Sequence, residues 1–448
     1  MRLKTLVRSF KAVDKALLNH AAELIVAARE EYRTLPVGNI GLNEEQRKTL
    51  GGLRLPNKVP MKSIGSSVDV LDAISYDVLD TSTQLYHPGF IAHMDPPTAP
   101  IAIAAGMMQI ATNQNLLHPD VAPKARHIEK RVIDWLAPYY FMKGGHIVPG
   151  SSVANLTALW VARENRGITT VVASDKSHLS IKKSANLLGL NYVECTTNDN
   201  HEMNLDELES ITGLDKAALV LTAGTVATGS FDPIKKFFEI VKDRLESSET
   251  SGILQSPRWV HIDAAWAGPL QLSSKYNKLF DGIEQADSIG FSAHKWLYQP
   301  KGCALCLFKD VAEAHESISY GGSYLGAPNV GVLGTSSAAA IPLCATILNY
   351  GLDGVVGLIE KDMKRADALV DLLRLHEGEF EVFGKNVCGV VVWRPRHACV
   401  KKVRSLLQNG WVSFCEVKKE LWFRSVFSNP NADPQLLFNE VLAAINRC

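Results

Sequence analysis

The 448-residue sequence lacks an excess of charge of either sign, because 47 Lys and Arg residues balance 47 Asp and Glu residues. Proteins whose main partner is nucleic acid or an anionic membrane usually carry a basic excess, so the composition favours neither partner. The sequence also lacks an apolar run long enough to cross a bilayer. With 46% hydrophobic and 21% charged residues, its composition is that of an ordinary globular enzyme.

The eight cysteines lack the paired spacing of a disulfide framework, which indicates free thiols in a reducing compartment. Cys303 and Cys306 have the spacing of metal ligands, but they fall in a predicted buried strand, where residues three apart point to opposite faces. We therefore expect these thiols to pack in the core, and we expect no metal site. Residues 1–31 predict an amphipathic helix rather than a signal peptide, so the expected location is cytoplasmic.

The pattern of apolar residues predicts three regions. Residues 1–90 are mainly helical, with helices within 1–31 and at about 68–84. Residues 91–334 alternate short β-branched runs with helices, which indicates an α/β domain with a mostly parallel sheet. Residues 335–448 begin with a long helix to about residue 375 and continue as a small α+β domain.

Within the α/β domain, six strands are predicted at residues 169–173, 191–195, 218–222, 259–262, 288–291 and 303–308. The helices are predicted at residues 100–112, 124–139, 152–166, 177–188, 205–211 and 233–245. Open sheets of this kind place their sites at the carboxyl ends of the strands, so the residues there are the first candidates for function.

Lys295 stands between a histidine and a tryptophan in the stretch Phe291-Ser-Ala-His-Lys-Trp296. Burial disfavours the ammonium form, so a lysine in such apolar surroundings can form a Schiff base with an aldehyde. The alternative is a lysine whose stem packs beside the Trp296 ring while its charge reaches solvent. We take Lys295 as the candidate covalent anchor.

Residues after other strands suit the ring of an aromatic cofactor. Asp263 ends a strand before two alanines, which leaves room for a flat ring and places a carboxylate where it can pair with a pyridine nitrogen. His178 opens a helix and is a candidate for lying flat on the ring, and Thr225 is a candidate for a hydrogen bond near it. Ordinary roles in helix-opening turns are the alternatives for both.

A turn before a helix, Gly150-Ser151-Ser152, offers small residues, hydroxyls and the N–H groups of a helix N-terminus, which together suit a phosphate. The alternative is an ordinary serine N-cap. A phosphate cradle, a pyridinium partner, a stacking histidine and a Schiff-base lysine together indicate pyridoxal 5'-phosphate (PLP).

Over nearly its whole length the chain resembles the group II PLP-dependent amino acid decarboxylases, which include glutamate, cysteine-sulfinate, 2,4-diaminobutyrate and aromatic amino acid decarboxylases. The stretches that carry the resemblance are His87-Pro-Gly-Phe90, Asn113-Gln-Asn115, Glu129 to Trp135, Gly150 to Asn155, Asp175 to His178, Gly224-Thr225, His261 to Gly268, His294-Lys295 and Phe423 to Pro430. The resemblance implies the aspartate-aminotransferase-like fold (fold type I), a homodimer with active sites at the subunit interface, and decarboxylation of an L-amino acid through a Lys295 Schiff base.

The resemblance also assigns roles to residues. It implies that Lys295 holds the cofactor aldehyde, Asp263 pairs with the ring nitrogen, and His178 and Ala265 lie against the two ring faces. The implied phosphate ligands, with His294 beside them, are Gly150, Ser151, Ser152 and Ser292. The implied lining of the substrate side-chain pocket is Gly89, Phe90 and Ile91.

The sequence departs from the family at two points. Ser292-Ala293 stands where the family usually has Asn-Pro, which weakens the expectation of a phosphate contact there. The loop at 320–334, which in many members carries the tyrosine that protonates Cα, is short and glycine-rich. Tyr324 or Tyr320 is the candidate for that proton transfer, with His178 and Lys295 as alternatives.

Arg424 bears on the substrate. In the glutamate and cysteine-sulfinate branch an arginine in a similar stretch binds a substrate carboxylate, which suits the two-pronged guanidinium. A salt bridge within the small domain is the alternative. The expected substrate is therefore a small polar or acidic amino acid. A lyase, aldolase or aminotransferase with the same cofactor, and a non-catalytic relative, are the competing hypotheses.

Overall fold

The computed structural model describes residues 15–31, 56–79, 82–208, 210–211, 213–246, 257–323, 325 and 328–448. These residues form two compact units. The first unit contains the described residues up to Ala92 together with residues 395–413 and 429–448, and the second contains residues 93–394 and 414–428. Each unit combines stretches that are distant in the chain, and the three-part division of the sequence stays a prediction.

The α-helices of the described residues are α1 (Lys15–Glu31), α2 (Ser67–Val78), α3 (Pro100–Thr112), α4 (Pro123–Leu136), α5 (Ser151–Arg166), α6 (Leu179–Leu187), α7 (Leu205–Leu208), α8 (Ile234–Glu246), α9 (Val311–Ser317), α10 (Ala340–Leu375), α11 (Val400–Ser405) and α12 (Pro434–Ile445). Short 3₁₀ helices lie at Ala137–Tyr140, Leu214–Lys216, Gly268–Leu272, Asn277–Phe280 and Ile283–Gln285. The first unit holds α1, α2, α11 and α12, and the other helices belong to the second unit.

The strands of the described residues are β1 (Gly144–Val148), β2 (Thr170–Ser174), β3 (Asn191–Cys195), β4 (Ala217–Thr222), β5 (Trp259–Asp263), β6 (Ser288–Phe291), β7 (Ala304–Phe308), β8 (Ser319–Tyr320), β9 (Asn329–Val330), β10 (Phe380–Phe383), β11 (Val390–Pro395), β12 (Ser413–Val417) and β13 (Glu420–Val426). They form a seven-stranded sheet, a four-stranded sheet with the order β10-β11-β13-β12, and the small β8-β9 pair.

The seven-stranded sheet lies in the second unit and has the order β1-β7-β6-β5-β4-β2-β3. Its neighbours pair in parallel except for β7, which runs antiparallel to both β6 and β1. Every residue of β4, β5, β6 and β7 is buried, which explains why these strands are continuous apolar runs in the sequence. The prediction of an α/β domain with a mostly parallel sheet is confirmed.

The sequence pattern did not predict strand β1. Its first two residues are glycines, which have low strand propensity and hide the apolar alternation. The structure shows why a side chain is absent at Gly145, since a Cβ atom there would lie 2.0 Å from the carbonyl oxygen of Cys306 on β7. A close approach of two backbones, rather than a turn, therefore explains this glycine.

Two predicted helices differ from the observed ones for local reasons. The helix predicted at 124–139 ends at Leu136, and the chain continues as the 3₁₀ helix Ala137–Tyr140, because Pro138 has no N–H to continue the α-helical pattern. The helix predicted at about 68–84 is α2, which begins at a capping box formed by Ser66 and Asp69 and ends earlier, at Val78.

Among the described helices, α10 alone is long and apolar enough to cross a membrane by length and composition. Its helical geometry is interrupted at Gly351, which has φ 65° and ψ 167°. Beyond that break, Val355, Ile359 and Met363 are buried in the hydrophobic core of the second unit. The part of α10 after Gly351 therefore packs in the core of the second unit.

Candidate active site

The carboxyl ends of β4, β5 and β6 lie side by side and carry the candidate residues. The backbone N–H of Ala223, just after β4, donates to the carbonyl of Asp263 at 2.9 Å, and the N–H of Ala264 donates to the carbonyl of Gly290 at 2.9 Å. Asp263 and Lys295 therefore follow neighbouring strands, since β5 and β6 pair directly.

Lys295 lies in a turn four residues after the end of β6. Its backbone N–H donates to the carbonyl of Ser292 at 3.2 Å, and its own carbonyl accepts from the N–H of Tyr298 at 3.0 Å. The side chain is half-buried, and burial lowers the pKa of its ammonium, with the nearby charge of Asp263 acting in the opposite direction. A lowered pKa increases the fraction of neutral amine, which is the nucleophilic form.

The next residue, Trp296, anchors this turn. Its fully buried ring stacks on the Trp266 ring with 4.5 Å between the centroids and 12° between the planes. The Trp296 indole N–H donates to Asp362 Oδ2 at 3.0 Å, and the Trp266 indole N–H donates to the carbonyl of Cys388 at 2.8 Å. Two paired and hydrogen-bonded indoles therefore fix the backbone on both sides of the candidate lysine.

Asp263 is almost fully buried and both of its carboxylate oxygens accept hydrogen bonds. Oδ1 accepts from the backbone N–H of Ala265 at 3.1 Å, and Oδ2 accepts from Asn155 Nδ2 at 2.9 Å. A buried carboxylate needs such donors, because an unpaired buried charge is costly. Sequence reasoning missed Asn155, although it lies four residues after Ser151 and thus on the same face of α5.

The turn that opens α5 meets the lysine turn. Ser151 Oγ lies 2.6 Å from Ser292 Oγ, and both residues are buried. His294 Nδ1 donates to the carbonyl of Cys303 at 2.9 Å, and a Cβ atom on Gly150 would lie 3.8 Å from the His294 ring. Burial lowers the pKa of His294 to about 4, so its ring is neutral near pH 7. Ser152 lies at the same helix terminus but is exposed.

His178 is the N-cap residue of α6, and its Nδ1 accepts from the backbone N–H of Ser180 at 3.2 Å. Burial lowers the pKa of His178, while the charge of Asp263 raises it and that of Lys295 lowers it. These two charges act on His178 because all three side chains lie in the same region. The expected grouping of lysine, aspartate and histidine is therefore present.

Thr225 and Ala265 lie at the same end of the sheet. Thr225 is buried in the turn after β4, and its Oγ1 accepts from the backbone N–H of Ser230 at 3.0 Å and lies 3.1 Å from Thr228 Oγ1. Its hydroxyl is thus engaged within its own turn. Ala265 is half-buried and directly follows the Asp263–Ala264 segment.

Arg424 lies on β13 opposite Val392 of β11 and is half-buried. Burial lowers the pKa of its guanidinium, while the charge of Asp95 raises it. Its charge in turn lowers the pKa of Lys295. Residues from the four-stranded sheet and from the lysine turn therefore share one electrostatic environment, within the second unit.

The remaining candidates lie elsewhere. Gly89, Phe90 and Ile91 belong to the first unit, where Phe90 forms a β-bridge with Trp411 and a Cβ atom on Gly89 would lie 1.7 Å from the carbonyl oxygen of Asn409. Their role in a substrate pocket stays a prediction. Tyr324 lies outside the described residues. The Tyr320 ring stacks on the Trp160 ring with 5.9 Å between the centroids.

A comparison with known protein families shows to which family the chain belongs. Residues 55–396 match the model of the pyridoxal-dependent decarboxylase conserved domain. The chain belongs to this family. It is a PLP-dependent amino acid decarboxylase, and therefore a carboxy-lyase, as the resemblance in its sequence implied.

Two relatives of this decarboxylase illustrate the range of the family. The chain is 28% identical to the L-2,4-diaminobutyrate decarboxylase of Acinetobacter baumannii over 381 residues, which cover 74% of this chain and 72% of the relative. It is also 28% identical to the aspartate 1-decarboxylase of Aliivibrio fischeri over 379 residues, covering 72% of this chain and 66% of the relative.

The solved structure of mouse CSAD resembles the decarboxylase over 96% of this chain and 98% of that one, with a TM-score of 0.82 and 20% sequence identity. At that identity the likeness concerns the fold alone. Together with the mostly parallel sheet, it supports the expected fold type I architecture.

The residues of the decarboxylase fit the cofactor of its family. Two buried hydroxyls, those of Ser151 and Ser292, meet at the N-terminus of α5, where a phosphate is stabilised by N–H groups and by the helix dipole. A buried carboxylate, Asp263, lies on the strand beside β6, and a half-buried lysine with a lowered pKa follows β6. An anion site, an acid for a ring nitrogen and a reactive amine are the three groups that PLP requires.

Proposed function

We propose that this decarboxylase converts a small polar or acidic L-amino acid to the corresponding amine and carbon dioxide, with Lys295 as the residue that binds the cofactor aldehyde. The observation that carries the proposal is the convergence of Lys295, Asp263, His178 and the Ser151–Ser292 pair at the carboxyl ends of adjacent strands. When bound, PLP supplies an electron sink for the bond that breaks as carbon dioxide leaves.

The proposed roles follow from the chemistry of each side chain. The Lys295 amine would hold the cofactor aldehyde, and its lowered pKa favours the neutral, nucleophilic form that this requires. The Asp263 carboxylate keeps the ring nitrogen protonated by pairing with it. The groups that would bind the phosphate, with His294 beside them, are Gly150, Ser151, Ser152 and Ser292, and His178 and Ala265 would cover the two faces of the ring.

The proton that Cα receives after decarboxylation needs a donor. His178 is one candidate, because its imidazolium form can give up the Nε2 proton and leave a neutral ring. Tyr324 and the released Lys295 amine are the other candidates. The Thr225 hydroxyl stabilises the turn after β4, and we place this turn beside the cofactor ring.

Arg424 is the proposed ligand of a substrate carboxylate. Its guanidinium is half-buried and close enough to Lys295 to change the pKa of that amine, so an acidic side chain attached to a bound amino acid would find a cation nearby. A guanidinium binds a carboxylate with two parallel hydrogen bonds. The same positive charge would repel the side-chain ammonium of 2,4-diaminobutyrate, so the proposal favours an acidic substrate, of the kind that the aspartate 1-decarboxylase of Aliivibrio fischeri is named for.

We also propose that the enzyme is a cytoplasmic homodimer, with Gly89, Phe90 and Ile91 contributing to the substrate pocket. Large apolar side chains are exposed on α3 and the first part of α10, helices that pack against each other: Met107, Met108, Ile110, Leu348 and Tyr350. Exposed apolar surface of this kind is typical of a protein interface. A second copy of the chain is the proposed occupant.

A panel of amino acids tests the proposed activity. The purified holoenzyme is incubated with L-aspartate, L-glutamate, L-cysteine sulfinate, L-2,4-diaminobutyrate and an aromatic amino acid, and both released carbon dioxide and the organic product are identified. We expect carbon dioxide and the matching amine, with the highest kcat/KM for an acidic substrate. A keto acid or an aldehyde as the main product would contradict simple decarboxylation, and a preference for diaminobutyrate would contradict the role of Arg424.

A further inference from the structure

A chain of hydrogen bonds runs behind Asp263, through side chains that the proposed mechanism does not use. Trp259 Nε1 lies 2.9 Å from Ser288 Oγ, Ser288 Oγ lies 2.9 Å from His261 Nδ1, and His261 Nε2 lies 3.0 Å from Asn155 Oδ1. Asn155 Nδ2 then lies 2.9 Å from Asp263 Oδ2. All five side chains are buried, with 4% exposure or less.

The chain has a branch at Asn155. The second hydrogen of Nδ2 reaches Ser180 Oγ at 2.9 Å, and Ser180 Oγ lies 2.7 Å from His178 Nδ1. Asn155 therefore connects two residues with proposed contacts to the cofactor ring, the aspartate at the ring nitrogen and the histidine on the ring face.

The direction of every hydrogen bond in the chain is determined by its two ends. The Trp259 indole N–H can only donate, and the Asp263 carboxylate can only accept. Asn155 therefore donates from Nδ2 to Asp263, and its Oδ1 accepts from His261 Nε2. Burial lowers the pKa of His261 to about 4, so the ring is neutral near pH 7 with its one proton on Nε2, and Nδ1 accepts the hydroxyl proton of Ser288, which in turn accepts from Trp259.

The opposite orientation of the Asn155 amide is excluded by repulsion. With the amide reversed, Oδ1 would face the Asp263 carboxylate, and two acceptors would meet in a buried site without a proton between them. The His261 N–H thus selects the orientation in which the amide donates to both Asp263 and Ser180. Ser180 can then donate its hydroxyl proton to His178 Nδ1, which agrees with a His178 proton on Nε2.

Gly290 on β6 leaves space for the side chains of Asn155 and His261. His261 pairs with Ser288, and Asp263 pairs with Gly290, in the register of β5 and β6. A Cβ atom on Gly290 would lie 3.1 Å from the Ala154 Cβ, 3.5 Å from Asn155 Oδ1 and 3.6 Å from the His261 ring. A side chain at this position would therefore press on the residues that connect His261 to Asp263.

We propose that Asn155 is a positioning residue that holds the Asp263 carboxylate in place for the ring nitrogen and fixes the tautomer of His178, and that His261, Ser288 and Trp259 determine the orientation of its amide. This inference rests on the proposed function, since the ring contacts of Asp263 and His178 belong to that proposal. Asn155 acts through these two residues and does not itself contact the reacting atoms.

The first test replaces the amide without changing the size of the side chain. In the holoenzyme Asn155→Leu, the Asp263 carboxylate loses the donor that holds it in place, which weakens its pairing with the protonated ring nitrogen. We expect PLP to bind at least about tenfold more weakly, the cost of one hydrogen bond to a charged group. We expect kcat to fall by a similar factor, while KM for the amino acid changes less than about twofold, because ground-state binding of the substrate is not touched.

The absorption of the bound cofactor gives a readout that a purely structural role would not move. With a weaker partner for its proton, the ring nitrogen should lose that proton at a lower pH, so the pH midpoint of the accompanying absorption change should fall, by about one unit if the lost bond contributes about 1.4 kcal/mol. The matched control is Thr157→Val on the same helix, a buried residue whose hydroxyl donates to the carbonyl of Val153 and does not touch the chain. In this control both the midpoint and the PLP affinity should stay at the wild-type values.

A second pair of variants tests the role of His261 in case Asn155→Leu does not fold. His261→Gln retains an N–H near the position of Nε2, whereas His261→Leu removes it. We expect His261→Leu to shift the midpoint in the same direction as Asn155→Leu, and His261→Gln to recover most of the wild-type midpoint. Equal shifts in the two His261 variants, or an unchanged midpoint in Asn155→Leu and His261→Leu alike, would overturn the proposal.

The variant Asp263→Asn separates this inference from the proposed function. If Asp263→Asn weakens PLP binding and shifts the midpoint while the Asn155 and His261 variants do not, the positioning role is wrong and the proposed function stands. If Asp263→Asn also leaves both readouts unchanged, the proposed contact between Asp263 and the ring is itself wrong.

Discussion

Ser151 Oγ and Ser292 Oγ lie 2.6 Å apart, although 141 residues separate them in the chain. One serine opens α5 and the other opens the turn that carries Lys295. Their contact brings the proposed phosphate site next to the proposed covalent anchor, so one bound molecule can reach both. The family usually has asparagine at position 292. The Ser292 hydroxyl lies against the Ser151 hydroxyl, so it can take part in the same proposed phosphate site.

The two serines should contribute to PLP affinity in a coupled way. We expect Ser151→Ala and Ser292→Ala each to weaken PLP binding by about tenfold, because each removes a hydrogen bond to a charged group. The double variant should lose less than the product of the two effects, since the hydroxyls contact each other. Equilibrium titration of the apoenzyme with PLP measures all three. Strictly additive losses would indicate that the hydroxyls act at separate places.

Lys295→Ala should abolish turnover while leaving the fold intact. We expect kcat to fall at least about 10²-fold, the contribution typical of one proton-transferring group, with a larger loss if aldehyde binding also fails. Mass spectrometry after borohydride reduction should find PLP attached to Lys295 in the wild-type chain and no attachment in the variant. A variant that keeps wild-type turnover would rule out Lys295 as the anchor.

Arg424 should determine the preference for acidic substrates. Truncating one partner of a buried ion pair costs about 2–5 kcal/mol, so Arg424→Leu should lower kcat/KM for L-aspartate or L-glutamate by at least about 30-fold. The activity on a neutral amino acid such as L-serine should change little. Arg424→Lys retains the charge but not the two-pronged geometry, and we expect an intermediate loss. Equal losses on acidic and neutral substrates would instead indicate a structural role.

Acid should destabilise the fold through buried histidines. Burial and the neighbouring His315 lower the pKa of His146 from 6.5 to about 3, and burial lowers that of His261 to about 4. Below pH 6.5 the unfolded chain binds protons that the folded chain does not, so the free energy of unfolding falls as the pH falls toward these values. Each such histidine contributes a slope of at most about 1.4 kcal/mol per pH unit.

Chemical unfolding of His146→Gln between pH 4 and 6.5 measures this contribution. The slope of the unfolding free energy against pH measures how many more protons the unfolded chain binds. We expect this number to be smaller by nearly one in His146→Gln than in the wild-type chain. His376→Gln is a suitable control, because its Nδ1 donates to the backbone carbonyl of Leu372 at 3.0 Å and its side chain is not enclosed in the core. An unchanged slope in His146→Gln would mean that His146 is protonated in the folded chain.

A charge on the exposed apolar surface of α3 should disrupt the proposed homodimer. Met108 is 65% exposed on this helix, so Met108→Glu costs the single subunit little but would place an unpaired carboxylate in the interface. We expect the dimer to dissociate at concentrations at least about tenfold higher than in the wild-type chain, as measured by sedimentation. Leu187→Glu is the matched control, at 67% exposure on α6. Equal behaviour of both variants would place the interface elsewhere.

Much of the fold could be predicted from local sequence patterns. The helix at Pro100–Thr112 and the strands at Asn191–Cys195 and Ser288–Phe291 were predicted with the bounds that the structure shows. In the helix the apolar period agrees with the initial proline, and Ser288–Phe291 is a fully buried apolar run. Strand β1 escaped prediction because it begins with two glycines, of which Gly145 is explained by the approach of β7, a contact that no local pattern reveals.

The sequence by itself determined which residue types follow the strands, and therefore the cofactor chemistry: a lysine, an aspartate, a histidine and a glycine-serine turn, each at the end of a strand or the beginning of a helix. Only the tertiary structure decided which side chains touch. It paired Ser151 with Ser292, directed the amide of Asn155 toward Asp263, and aligned His261 with Ser288. The reason is physical: apolar periodicity follows from the backbone geometry of a few neighbouring residues, whereas hydrogen bonds between distant side chains depend on strand register and helix packing throughout the core.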